Sequence, residues 1–267
     1  MARTARPAPT ALWRRLVAEF LGSALLAAIV IGSGIAAQRL SPGATGLELL
    51  ENSAVTAAGL FAIILMFGPV SGAHFNPVVS FADAAFGGLS WRDAAAYLLA
   101  QVAGCVTGAV AANLMYSLAA VSISTKHRAS GAHGLSEVIA TAGLILVIFA
   151  LARTGRANIA PAAVGAYIGA AYWFTSSTSF ANPAITIGRM LTDTFAGIAP
   201  SSAPLFIVAQ AAGGIAGVLI IRVLYPALTP AQAADIIMPH QLSADGDRVS
   251  ATASAQDPAQ SAPETDA

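Results

Sequence analysis

Two asparagine-proline pairs, Asn76-Pro77 in "SGAHFNPVVS" and Asn182-Pro183 in "SSTSFANPAITIGR", interrupt apolar sequence with hydroxyls, amides and a proline. An asparagine side chain can accept a hydrogen bond from the first turn of a helix. Proline suits the first helical position, because the N–H it lacks would be unpaired there. Each pair therefore starts a helix and leaves amide N–H groups free to donate to a passing oxygen. Such groups bind and steer; they do not break bonds. No Ser, His and acid set, metal-ligand spacing or phosphate loop accompanies them, so no enzyme, cofactor or metal site is expected. His127, His133 and His240 read as solvated loop or tail residues, and the lone Cys105 offers neither a disulfide nor a cysteine-based metal site.

The elements that position these groups are membrane spans. Only 13 basic and 13 acidic side chains occur in 267 residues, while 56% of residues are hydrophobic, which places the chain in the membrane class. Residues 20–37, 53–70, 94–120 and 203–221 are free of charge and long enough to cross ~30 Å of hydrocarbon. Residues 138–152 and 161–174 complete a set of six whose ends carry polar function. The basic start "MARTARPAPTALWRR" precedes an apolar run too long for a signal peptide and should be retained. Lysine and arginine counts, nine on one side against four on the other, put both termini in the cytoplasm of a cell inner (plasma) membrane protein. Residues 1–12 form an N-terminal cytoplasmic segment, 13–225 the membrane domain, and 226–267, rich in Ala, Ser, Pro and Asp, a disordered cytoplasmic tail. Neutral net charge gives no reason to expect nucleic acid.

The chain is written twice. "AEFLGSALL" at 18–26 answers "SEVIATAGL" at 136–144, "FNPVVS" answers "ANPAIT", and "AQVAGCVTG" at 100–108 answers "AQAAGGIAG" at 209–217. Each half, about 13–120 and 134–225, holds three spans, so the second enters from the opposite face as an inverted repeat. Glycines four apart, Gly104 with Gly108 and Gly213 with Gly217, let helix backbones approach closely where lipid supplies no drive. Irregular chain at membrane depth is tolerated only inside protein or along a watery cavity. From Asn76 to Gly87 and Asn182 to Phe195 the spacing predicts two half-helices, roughly 18 to 21 Å long at ~1.5 Å per residue. Entering from opposite sides, they would meet tip to tip near the midplane.

These paired motifs, with "AEFLGS" and both "AQ..G...G" helices, resemble the major intrinsic proteins, the aquaporins and aquaglyceroporins, over roughly residues 14–225. The resemblance implies an all-α membrane fold of six transmembrane helices plus two re-entrant half-helices, a pore in each subunit and a homotetramer in the lipid bilayer. It implies motif residues Asn76, Pro77, Val78, Asn182, Pro183 and Ala184, with Val78 standing where alanine is usual. Carbonyls of Gly72, Ala73 and His74 would line the path, the backbone of His74 mattering more than its ring. Glu19 and Glu137 resemble struts that hold the loops; proton coupling is the other reading of such intramembrane carboxylates. Width, lining groups, an arginine and opposed half-helix dipoles exclude protons and cations in this family.

By the same resemblance, counting from each asparagine places the four filter side chains at Thr56, Ala170, Ser179 and Ile185. Most relatives have arginine where Ile185 stands. Ile, Ala, Ser and Thr in place of a guanidinium and large rings imply a wider, less polar constriction. The departures resemble a bacterial branch associated with arsenic resistance. The expected function is a passive channel for small neutral solutes: glycerol, urea-like solutes, metalloid hydroxides such as arsenite, methylated arsenicals, and water. A water-conducting aquaporin and an ion-coupled secondary transporter are the alternatives. Arg189, four residues beyond Ile185 on nearly the same helical face, is either an outer cation at the pore or a partner of Asp193.

Overall fold

The structure, a computed structural model, describes residues 10–226. The expectations for the tail and for the extreme N-terminus fall outside them. In chain order the helices are α1 (Leu12–Leu40), α2 (Thr45–Ser71), α3 (Pro77–Phe86), α4 (Trp91–Met115), α5 (Gly131–Arg153), α6 (Ala160–Phe174), α7 (Pro183–Arg189) and α8 (Ala203–Leu224). Five of them, α1, α2, α4, α5 and α8, are long and apolar enough to cross a bilayer. The 15-residue α6, entered through a 3-10 turn at Ala157–Ile159, is the sixth and shortest crossing. α4 stops at Met115, short of the expected 120, because the Asn113 carbonyl accepts from the Tyr116 and Leu118 N–H groups and turns the chain.

Local chemistry sets the helix starts. Ser90 caps α4 by accepting from Asp93 N–H at 3.0 Å, Ser130 caps α5 by accepting from His133 N–H at 3.2 Å, and prolines open α3, α6, α7 and α8. Leu25, Phe61, Met66, Leu99, Ile139, Val208 and Leu219 lie exposed on the outside of the bundle, the inverse of a soluble surface and the expectation for a lipid-facing one.

The two halves repeat each other's packing. A methyl on Gly104 would run into the Phe20 carbonyl and one on Gly108 into the Ala24 carbonyl. In the second half, Gly213 faces the Val138 carbonyl and Gly217 the Ala142 carbonyl. Each pair lets α4 close on α1, or α8 on α5, at backbone distance, as the glycine spacing implied. The end of the molecule holding the start of α1 and the end of α8, the terminal face, is pinned by a buried Arg15–Asp93 pair at 2.6 Å. At the opposite end, the loop face, the Gln38 side-chain oxygen accepts from Phe195 N–H at 2.8 Å.

The half-helices differ from their expected lengths on one side only. α3 runs to a left-handed Gly87 cap, as the spacing predicts. α7 stops after seven residues instead of continuing to Phe195. Met190 N–H turns to Ile187 O and Leu191 N–H to Gly188 O, and Ile198 N–H then returns to Arg189 O, folding residues 190–198 into a compact loop. The 10 and 7 residues of the pair add up to roughly 25 Å at ~1.5 Å each.

Candidate functional site

Where the half-helices meet, the two asparagines do more than cap. Asn76 Oδ1 accepts from Val78 N–H at 3.0 Å, and Asn182 Oδ1 from Ala184 N–H at 2.9 Å and Ile185 N–H at 3.3 Å. One amide N–H of each crosses to the other loop: Asn76 Nδ2 donates to Ala181 O and Asn182 Nδ2 to Phe75 O, both at 2.7 Å. The tips are therefore latched reciprocally, and each asparagine has a second amide N–H beside the cavity that both line.

Behind this clasp the loops are strained and supported. Ala73, Phe75, Ser179 and Ala181, three and one residues before each asparagine, sit at φ of 50°, 48°, 47° and 48°. Left-handed backbone at a non-glycine residue costs on the order of 1–3 kcal/mol and persists only when surroundings enforce it. The enforcers are Glu19 and Glu137, both fully buried. Glu19 accepts from Ser71 Oγ (2.6 Å), His74 N–H (3.0 Å), Phe75 N–H (2.7 Å) and Gln101 Nε2 (2.8 Å). Glu137 accepts from Ser177 Oγ (2.6 Å), Phe180 N–H (2.9 Å), Ala181 N–H (2.8 Å) and Gln210 Nε2 (2.7 Å). The "AQ" of each repeat is thus the strut's fourth donor, a role the sequence motif did not reveal.

A cavity of about 60 Å³ runs past the clasp. Its polar side is the chain at Ala73, His74, Phe75 and Asn76 with Ser179, Phe180 and Asn182. Its apolar side is Leu60 and Ile64 of α2, Leu144 and Ile148 of α5, and Val164 and Ile168 of α6. Of the four filter positions, Thr56, Ser179 and Ile185 line it together; Ala170 does not, and is exposed on α6. Val164, Ile168 and Tyr172 form the inward i, i+4 ladder of that helix, and two residues from Ile168 turns a side chain ~200° away. From that end of α6 it is Tyr172 that lines the cavity, its hydroxyl 3.3 Å from Thr56 Oγ1. Gly72 is likewise absent from the lining; it is the left-handed cap of α2, its N–H on Gly68 O. Val78 packs against α8 opposite Gly214 and lines a separate surface groove. Pro77 and Pro183 open their half-helices, and Ala184 is buried in α7.

The lining therefore includes larger and more polar groups than the four side chains expected by resemblance. The Tyr172 ring and the Arg189 guanidinium both reach the lining. Arg189 is only 2% exposed, lies over the Phe180 ring at 3.4 Å from its centroid, and donates through Nε to Ala196 O. It does not pair with Asp193. That carboxylate accepts Thr125 N–H at 2.9 Å and the Thr125 hydroxyl, bonds that hold its pKa below the usual carboxylate range.

The +7 positions of the two motifs are equivalent. Arg189 leans on Phe180, two before its asparagine, and Asp83 approaches His74, two before its own, at 3.5 Å to Nε2. The His74 Nδ1 lies 3.0 Å from Ser80 Oγ, so its ring is a fixed structural group. Asp83 is as fully buried as Glu19 and Glu137, and the sequence reading passed over it.

Opposed half-helices latched tip to tip beside a narrow lumen define a membrane pore, with no reacting group at its centre. The family model described as "Major intrinsic protein" matches residues 8–181 and 173–251. The chain is 46% identical over 217 residues to the aquaglyceroporin AqpS of Rhizobium meliloti (strain 1021), covering 81% of this chain and 92% of that protein. It is 35% identical to the glycerol uptake facilitator protein of Pseudomonas aeruginosa, over 86% of this chain and 96% of that one. Among solved structures, the aquaglyceroporin from Plasmodium falciparum aligns with a TM-score of 0.60 and 21% identity, covering 83% of this chain and 99% of that one. The chain belongs to the major intrinsic protein family. It is a passive channel for water or small solutes and not an enzyme.

Proposed function

We propose that the channel passes small uncharged polyols and their analogues: glycerol, urea-like solutes, and metalloid hydroxides such as arsenite, including methylated forms, with water alongside. The observation that carries this reading is the two-sided lumen. Hydroxyls of a polyol find the polar edge of Thr56, Tyr172, Ser179 and the asparagine amides, while its C–H face lies on Leu60, Ile64, Leu144 and Ile168. A ligand site of this kind orients by a few polar groups and desolvates by the rest. Protons and cations are disfavoured by the two half-helix N-termini, each about +0.5 charge; a cation ~5 Å away meets on the order of 3 kcal/mol at an effective dielectric near 20. The two bacterial relatives, an aquaglyceroporin and a glycerol uptake facilitator, support the same solute class.

Water alone is the second reading, supported by the volume. About 60 Å³ holds a file of about four waters at roughly 15 Å³ each, so a polyol needs side chains such as Tyr172 to move. We place the protein in the inner (plasma) membrane as a homotetramer with both termini cytoplasmic, residues 13–225 forming the channel domain and 226–267 a cytoplasmic tail. Stopped-flow light scattering on proteoliposomes, comparing glycerol, urea, arsenite and water, tests the function: appreciable water flux with no entry of glycerol or arsenite refutes it. A flux that saturates and follows a proton gradient would instead support a coupled transporter.

A further inference from the structure

The ring around Ile185 carries no charge, yet two guanidiniums lie one helical turn away, toward the loop face. Residues 195–197 offer three successive carbonyls. Arg128 Nη2 donates to Phe195 O at 3.4 Å, Arg189 Nε to Ala196 O, and Arg128 Nε to Gly197 O at 3.1 Å. Both guanidiniums lie over the Phe180 ring, Arg189 at 3.4 Å and Arg128 at 5.6 Å from its centroid. Phe180 is itself fixed, its backbone N–H donating to Glu137 at 2.9 Å and its ring in edge contact with Phe206 at 4.9 Å between centroids. Among the described residues neither arginine forms an ion pair. Dipoles and an aromatic face hold them, which orients the charges without neutralising them.

The inverted repeat separates what is architectural here from what is added. Tethering the +7 residue to the −2 residue occurs in both halves, as Asp83 with His74 and as Arg189 with Phe180. Only in the second half does the +7 side chain itself line the cavity, in company with Thr56, Tyr172, Ser179 and Ile185. A planar guanidinium with one N–H bound to Ala196 retains further donors, and these lie beside the path of any solute that crosses the Thr56–Tyr172 contact.

We propose that Arg189 is the specificity-determining cation of this pore, displaced one turn from residue 185 toward the loop face, with Arg128 as its backing charge and Phe180 as the platform that fixes its plane. It offers hydrogen-bond donors to uncharged, oxygen-bearing solutes, bounds their size and repels cations at the entrance. The assignment deepens the solute reading above and rests on it for the class of solute, but its test does not depend on which solute is physiological.

The test compares the unsubstituted channel with Arg189→Ala, Arg189→Lys, Phe180→Leu and Arg222→Ala in proteoliposomes. Arg222 removes an equal charge from the terminal face. Arg189→Ala should raise the permeability to xylitol relative to water about fivefold and raise sodium leak measurably. Arg189→Lys should restore the barrier to sodium without restoring the size limit, because an ammonium keeps the charge and not the plane. Phe180→Leu should shift the size limit in the same direction as Arg189→Ala but less. Arg222→Ala should match the parent in both. If the parent admits water but no polyol, the solute reading falls, and new entry of urea or glycerol in Arg189→Ala still supports the displaced cation. Assembled Arg189→Ala, or Arg189→Lys and Phe180→Leu should the alanine variant fail to assemble, with solute cut-off and sodium leak equal to those of Arg222→Ala overturns it.

Discussion

Replacing Glu19 by glutamine tests the strut directly. The carboxylate offers two oxygens to four donors: one takes Ser71 Oγ and His74 N–H, the other Phe75 N–H and Gln101 Nε2. An amide has one acceptor oxygen and one donor group, so in either orientation a backbone N–H faces another N–H. An orphaned buried N–H costs about 1–3 kcal/mol, and the surviving bonds lose the strength of a charged acceptor. Relief from burying a charge offsets part of this, leaving about 2–3 kcal/mol. At roughly 2–4 °C per kcal/mol for a chain of this size, purified Glu19→Gln should unfold about 4–12 °C below the parent in a detergent thermal scan. Because Ala73 and Phe75 hold left-handed backbone only while the strut holds them, loop register should go too, and water and glycerol flux should fall together. Glu137→Gln should repeat the result in the other half. If both variants melt with the parent and conduct normally, the loops are self-supporting and the argument from strain is wrong.

Other substitutions probe the rest of the frame. Gly108→Leu and Gly217→Leu should each separate a tight helix pair, costing on the order of 1–3 kcal/mol by overpacking or preventing assembly, as read by gel filtration and thermal scan. Arg15→Met alone should destabilise by about 3–5 kcal/mol by leaving Asp93 buried without its cation, while Arg15→Met with Asp93→Leu recovers most of that loss in the same scan. Val78→Ala should leave solute selectivity unchanged, since Val78 faces Gly214 and a surface groove, not the lumen; a changed glycerol-to-water ratio would contradict that placement. Asp193 has a depressed folded pKa, so its contribution to stability is complete above the ordinary carboxylate range and is lost as pH falls through the folded value. Asp193→Asn should therefore flatten the acid limb of stability against pH.

What the sequence made legible is what repetition and local capping encode. Asn76 and Asn182 announce their helices because N-capping is a contact within one turn, and Glu19 and Glu137 stand out because each is an acid in an apolar run, twice at the same place. The glycine pairs were readable for the same reason. What stayed hidden depends on angles between elements. Ala170 was reached by counting back from Asn182 across a loop, but α6 ends eight residues before that asparagine whereas α2 ends five before Asn76. The helical ladder Val164, Ile168 and Tyr172 was the available signal, and it points to Tyr172. Arg189 was placed on the right face, yet its partner is an aromatic ring in the preceding loop, not the acid four residues on. The early end of α7 follows from returns such as Ile198 to Arg189, which no short pattern reveals.

The crossed amides, Asn76 to Ala181 and Asn182 to Phe75, carry a consequence for ancestry. A polypeptide containing one such half would keep a dangling donor and a dangling carbonyl in the middle of a membrane until it met a second copy inserted upside down. Joining two copies end to end, through the segment between Met115 and Gly131, turns that chance encounter into a certainty, and frees each half to differ: one has a histidine, His74, where the other has a phenylalanine, Phe180.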